Sequence, residues 1–201
     1  MRKWLLAAGY LPLPLFLGSV FVAGFFVPGY SHLRQHASEL GRPSSPVYPY
    51  YNWFATALGL AIVAFAVGMV LELANRRRPI LGTAATMLLT GAAFASNGVF
   101  PMGSPLHGLY GLAIFSVIAK LVVVVEAGEV ATTPRFRDLT VVVTVATMYY
   151  LWSMMTGHDP ASARGLTQRV FGSAEYAWYA LAAWEFQRPR LAAASPRDPA
   201  G

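Results

Sequence analysis

Six times along the chain there is a stretch of about 20 mostly apolar residues, the length a helix needs to cross the hydrocarbon core of a bilayer. The stretches are Trp4 to Val27, Trp53 to Ala74, Ile80 to Phe100, Leu106 to Val125, Leu139 to Thr156 and Gly165 to Phe186. The fifth is short, and the sixth is interrupted by Arg169 and Glu175. Hydrophobic residues make up 56% of the 201 positions and charged residues 12%, where soluble globular chains carry roughly 25% charged residues. Too little polar surface remains to coat a water-soluble globule, so a soluble enzyme and a nucleic-acid binder are excluded. The predicted fold is all-α, a polytopic six-helix transmembrane bundle forming one domain over residues 1–190. The tail 191–201, rich in Ala, Pro and Ser, reads as a disordered end.

The formal charge of +6 is distributed in short clusters between the apolar stretches. Arg2, Lys3, Arg76, Arg77, Arg78, Arg135, Arg137, Arg188, Arg190 and Arg197 fall on one side of the drawn topology. Only Arg34, Arg42, Arg164 and Arg169 fall on the other. The positive-inside rule then places both termini in the cytoplasm. Arg2 and Lys3 ahead of an apolar run could also open a secretory leader, but the uncharged run to Val27 exceeds the roughly 7–15 residues of such a segment. Pro12 and Pro14 should kink the first span. Gly91 and Ala95, four apart with small residues beside them, mark the third span as the expected central helix.

With no cysteine in the chain, disulfides, iron–sulfur clusters and thiol nucleophiles are absent, and a metal would need His, Asp or Glu. All four histidines, His32, His36, His107 and His158, lie in the outer connections, joined in the same half by Glu39, Asn97, Asp159, Gln168, Arg169 and Glu175. Lys120 and Glu72 lie in the inner half, where they can snorkel or meet each other. In the first outer loop, Ser31 can cap a short helix ending at Leu40, before Gly41 and Pro43. That helix would place His32, His36 and Glu39 on one face. An adjacent pair from this face with His107 could hold an ion; an amphipathic interfacial helix explains the same residues without one, and no metal or cofactor is assigned.

Glu175 is the most informative residue, an acid about 9 Å inside a span. Its helical spacing with Gln168, Gly172 and Trp178 turns it toward the bundle. It either serves chemistry, or it is a buried polar tie from the sixth helix, paired with Arg169 or a histidine or reaching the third helix through Asn97. The compact turn Ser96 to Gly108 can hold His107 over the bundle mouth.

Three runs of the chain resemble a known family: YSHLRQHASELG from Tyr30 to Gly41, NGVFPMGSPLHG from Asn97 to Gly108, and GLTQR from Gly165 to Arg169. In order and topology they resemble the bacterial family called domain of unknown function 998. The resemblance implies a six-helix integral membrane protein, in this case multi-pass in the bacterial inner membrane. A more distant similarity runs to eukaryotic membrane proteins of GPI-lipid remodelling and autophagy. His32, Ser38, Leu40, Gly41, Gly98, Phe100, Pro101, His107, Gln168 and Arg169 match the family pattern. His36 and Glu175 stand outside it, and Met102 and Gly103 stand where an acidic residue often follows the proline.

The reading that follows is a polar site at the outer-leaflet end of the bundle, acting on a lipid or other lipophilic substrate. His32, His107 and Glu175 are the candidate acid–base groups. Ser38, Glu39, Asn97, Gln168, Arg169 and Trp178 are candidates for holding the substrate, with Arg169 on an anionic group. Hydrolysis or transfer on a lipid competes with acid-initiated isomerisation or cyclisation of an isoprenoid. The alternative is a non-catalytic lipid-binding, transport or assembly protein. The expected partner is a membrane lipid or lipophilic small molecule, and no nucleic acid.

Overall fold

The computed structural model describes residues 1–109, 112 and 114–188, so the predicted tail at 191–201 lies outside the described residues. Among these, six helices and no strand are found: α1 (Arg2–Phe25), α2 (Tyr48–Asn75), α3 (Leu81–Val99), α4 (Phe115–Ala131), α5 (Pro134–Met155) and α6 (Arg164–Gln187). Three of them, α1, α2 and α5, are long and apolar enough to cross a membrane. The other three carry polar residues that face inward. On α3, Thr83, Thr86, Thr90 and Ser96 are buried, and on α6 Arg169, Glu175 and Glu185 are buried. The outside is the reverse. Trp4, Phe25 and Val125 are at least 75% exposed, with Val142, Met148 and Met155 also open. Apolar residues outside and ionisable ones inside describe a molecule whose surrounding solvent is lipid.

Proline and polar caps set the helix limits. Pro12 offers no N–H, and α1 accordingly tightens to a 3₁₀ turn at Ala8–Tyr10 before resuming at Pro12. A π turn follows at Gly18–Val22. Thr133 caps α5, its hydroxyl accepting from Phe136 N, with Pro134 at the first turn. The Glu185 carboxylate accepts from Thr133 N at 2.6 Å. Glu126 does the same for α3, accepting from the backbone N of Gly82 and Thr83 at 2.8 Å each. Negative charge on these helix N-termini also suits the helix dipole. All these caps lie at the end of the bundle that carries residue 2, where Glu72 is held by Arg2 at 3.0 Å and Arg76 at 2.6 Å. Gly128 at φ 65° breaks α4 here, and Arg78 lies so close that a side chain on Gly128 would collide with it.

Two expectations change in this frame. α2 packs on α1, α3 and α6, and α6 on α1, α2 and α5, whereas α3 packs on α2, α4 and the loop at His107–Leu109. The small residues of α3 serve that one tight α2 interface rather than a central position. The fourth helix also runs later than hydropathy places it. Residues 101–107 are turns, and His107–Leu109 is a 3₁₀ turn, because Pro101 and Pro105 each remove a ladder donor. Lys120 does not meet Glu72, whose carboxylate is held by Arg2 and Arg76.

Candidate functional site

In the half of the bundle opposite residue 2, side chains from all six helices enclose a cavity of about 240 Å³. Phe16 of α1, Tyr51 of α2, Phe94 of α3, Ser116 of α4, Thr147 of α5 and Tyr176 of α6 each contribute to its wall. Phe16 and Phe94 pack on the Tyr176 ring, with centroids 4.7 and 5.4 Å away. Ser38, Asn97, His107, Gln168 and Glu175 also line it, so five candidates widely separated in sequence meet at one space.

α6 begins at Arg164, one residue before the expected Gly165, which places Glu175 about 16 Å along the axis at 1.5 Å per residue, near the helix midpoint. Its partners are Lys120 Nζ, 2.7 Å from Oε2, and Thr147 Oγ1, which donates to the same oxygen at 2.7 Å. Lys120 is fully buried and also donates to the Ser116 carbonyl. The ion pair thus ties α6 to α4 and α5. Neither Arg169, a histidine nor Asn97 supplies the tie, and Lys120 is not the partner of Glu72. Lys120 and Thr147 are the functional neighbours that sequence reasoning missed. A lone lysine in the apolar run from Ser116 to Val125 was the available signal, since such a residue turns inward by default.

His107 is placed by the turn that precedes α4. Its Nδ1 lies 2.7 Å from the Phe100 carbonyl. A carbonyl only accepts, so Nδ1 carries the hydrogen, and Nε2 is the ring atom left to exchange a proton.

The loop does not form the expected helix from Ser31 to Leu40. Ser31 Oγ accepts from Arg34 N, but the turn stops at His36, whose backbone is extended at ψ 148°. The Glu39 carboxylate accepts from His36 N at 3.0 Å and starts a separate 3₁₀ turn, Ala37–Gly41. His32, His36 and Glu39 consequently share no helix face, and among the described residues no group of three His, Asp or Glu is placed to hold a metal ion. His36 instead faces Asp159, 3.5 Å away.

Of five further candidates, Glu39, Arg169, Gln168 and Trp178 have polar atoms engaged with other parts of the protein, and His32 lies in a separate groove. Glu39 is occupied by the loop, its second oxygen accepting from Gln35 Nε2. Arg169 donates to the Tyr30 hydroxyl at 2.6 Å and to the carbonyls of Gln35 and Gly165 at 3.0 and 2.7 Å. It clamps the loop onto α6, as does Gln168, whose Oε1 accepts from Ala37 N at 2.6 Å. Trp178 is fully buried, and its indole N–H donates to Thr140 Oγ1 at 2.9 Å. His32 packs among Phe21, Phe25 and Tyr30 in a groove with Arg169, and neither ring nitrogen has a protein partner. Burial, and secondarily the Arg169 charge, pull its pKa below 6.5, favouring the neutral ring. His32 and Arg169 share this groove, whereas His107 lines the cavity.

An apolar exterior, long apolar helices and a polar-ended interior cavity define an all-helical membrane protein. The chain belongs to the family described as protein of unknown function (DUF998), which matches residues 11–185. Neither a curated protein nor a solved structure matches it.

Proposed function

We propose that the protein binds a lipid or other lipophilic molecule in this cavity and acts on it by acid–base chemistry. The observation that carries the reading is the convergence of His107 and Glu175, from remote segments, on one aromatic-walled space. Mostly apolar walls with a few placed polar groups are the usual make-up of small-molecule sites, which supports this reading. Within this class, hydrolysis or transfer fits better than acid-initiated isoprenoid chemistry. Glu175 Oε2 is held as an acceptor by Lys120 and Thr147, an arrangement that suits a carboxylate better than a free acid. The same observation favours a second reading, non-catalytic lipid binding or transport, because Lys120 and Thr147 already engage Glu175.

Ala93 lines the cavity from α3 and is 5% exposed, so Ala93→Leu fills space without adding charge. Protein extracted directly into nanodiscs should carry one lipophilic compound enriched over bulk lipid by mass spectrometry. The enrichment should fall several-fold in Ala93→Leu while helical content by circular dichroism is unchanged. Should no compound be enriched in the unmodified protein, the binding reading is wrong. Turnover of that compound, lost in His107→Gln, would separate catalysis from binding.

We further propose that all six helices span the bacterial inner membrane with both termini cytoplasmic, which puts the cavity in the outer-leaflet half. Arginine and lysine asymmetry supports this arrangement. Because the chain has no cysteine, Ser44→Cys and Arg77→Cys each introduce a single thiol. An impermeant maleimide added to intact cells should label the first and not the second. Labelling of Arg77→Cys from outside would overturn the orientation.

A further inference from the structure

We infer that the cavity takes a neutral amphiphile led by a hydroxyl group, which donates a hydrogen bond to Glu175 Oε1; the inference rests on the cavity-binding reading above. Glu175 has a side chain 6% exposed, and its Oε2 is shared by Lys120 and Thr147. Its Oε1 has no protein donor, although the residue lines the cavity. A buried carboxylate oxygen left bare is costly, and native interiors supply such atoms with a donor. The free valence is an acceptor, so the incoming group must be a donor.

Charge selects among donors and against acids. An ammonium group would stand beside Lys120 Nζ, itself 2.7 Å from the other oxygen of this carboxylate, and two cations this close repel in a low-dielectric interior. A phosphate or carboxylate would face Glu175 directly. Lys120 and Arg169 are already committed: Lys120 to Glu175 and the Ser116 carbonyl, Arg169 to the Tyr30 hydroxyl and the carbonyls of Gln35 and Gly165. A hydroxyl satisfies Oε1 without either penalty. The walls of Phe16, Phe94, Phe171 and Tyr176 suit the hydrocarbon that follows it.

The test uses three diazirine-bearing C16 probes that differ only at the end group: the alcohol, its methyl ether and the corresponding carboxylic acid. Each is added to the full chain in phosphatidylcholine nanodiscs, photolysed, and mapped by peptide mass spectrometry. The alcohol should label the peptides bearing Phe171 to Tyr176 at least tenfold more than the ether or the acid. In the double variant Lys120→Met/Glu175→Leu, which removes the acceptor without stranding a charge, that advantage should vanish. Equal labelling by all three probes would overturn the hydroxyl preference and leave cavity binding standing, with water as the donor to Oε1. Labelling of these peptides by none of the probes would remove both. Strongest labelling by the acid, or an alcohol preference that survives in the double variant, would overturn the assignment to Glu175. The comparison of the three probes on the unmodified protein decides the matter even if the double variant does not fold.

Discussion

Replacing Lys120 by methionine should lower the unfolding free energy in detergent by about 3–5 kcal/mol, and Glu175→Leu should do the same, because each strands a buried charge. The pair is nearly closed to solvent, with side chains 1% and 6% exposed and a separation of 2.7 Å. Ser116 O and Thr147 Oγ1 are the polar groups left to the survivor, and neither is an opposite charge. The double variant Lys120→Met/Glu175→Leu should recover most of the loss, since two apolar side chains incur no ionic desolvation cost. Denaturation in mixed micelles on the four proteins of this cycle measures the coupling. If the single losses simply add in the double variant, the two residues do not act as a pair, and the tie between α4, α5 and α6 lies elsewhere.

That pair also shows where reading the sequence stops. An ionisable residue inside an apolar run must face protein, which made Glu175 legible, and the same logic applied to Lys120. What misplaced Lys120 was a boundary. Counting the fourth span from Leu106 treats the residues around Pro101 and Pro105 as helix-ready, whereas residues 101–109 form turns ending in a 3₁₀ turn and are not part of the α-helix. At 1.5 Å per residue, each helical turn by which a boundary is misplaced moves a side chain about 5 Å along the membrane normal. The remaining helices were legible to within a few residues because an apolar face in lipid has no competing explanation.

The loop residues were less legible because their roles depend on partners far away in sequence. Nothing near Arg169 announces that Tyr30 and the Gln35 carbonyl occupy its guanidinium. The matching runs YSHLRQHASELG and GLTQR can be read as two halves of a site or as two halves of a contact. The structure makes them a contact: Gln168 and Arg169 dock the loop on α6, and Leu166 N donates to the Leu33 carbonyl at 3.0 Å. From these two runs Ser38 and Gln168, and from NGVFPMGSPLHG Asn97 and His107, are the proposed site residues that reach the cavity wall.

Gly59→Ala, a single methyl group, should cost about 1–3 kcal/mol or more, as overpacking of a tight interior does. A Cβ at this position in α2 would fall inside the van der Waals envelope of the Ala95 backbone N and Cα on α3. Backbone atoms have no rotamer to retreat into, so α2 and α3 would have to separate along their whole contact. Gly91 on α3 lies against Val63 and the Gly59 carbonyl, and Gly98 against the Asn52 carbonyl and Thr56, so the close approach continues toward the cavity. Small residues at such an interface let the backbones meet, which is how helices associate when lipid provides no hydrophobic drive. Gly18→Ala provides the contrast, because its nearest neighbour is the Phe54 ring edge at 3.7 Å, an ordinary contact. That variant should retain near-native stability in the same micelle assay. Adding Ala95→Gly to Gly59→Ala should not rescue it, since the collision is with main chain and not with the Ala95 methyl alone. Full rescue would mean that side-chain volume, not backbone approach, sets the distance between the two helices.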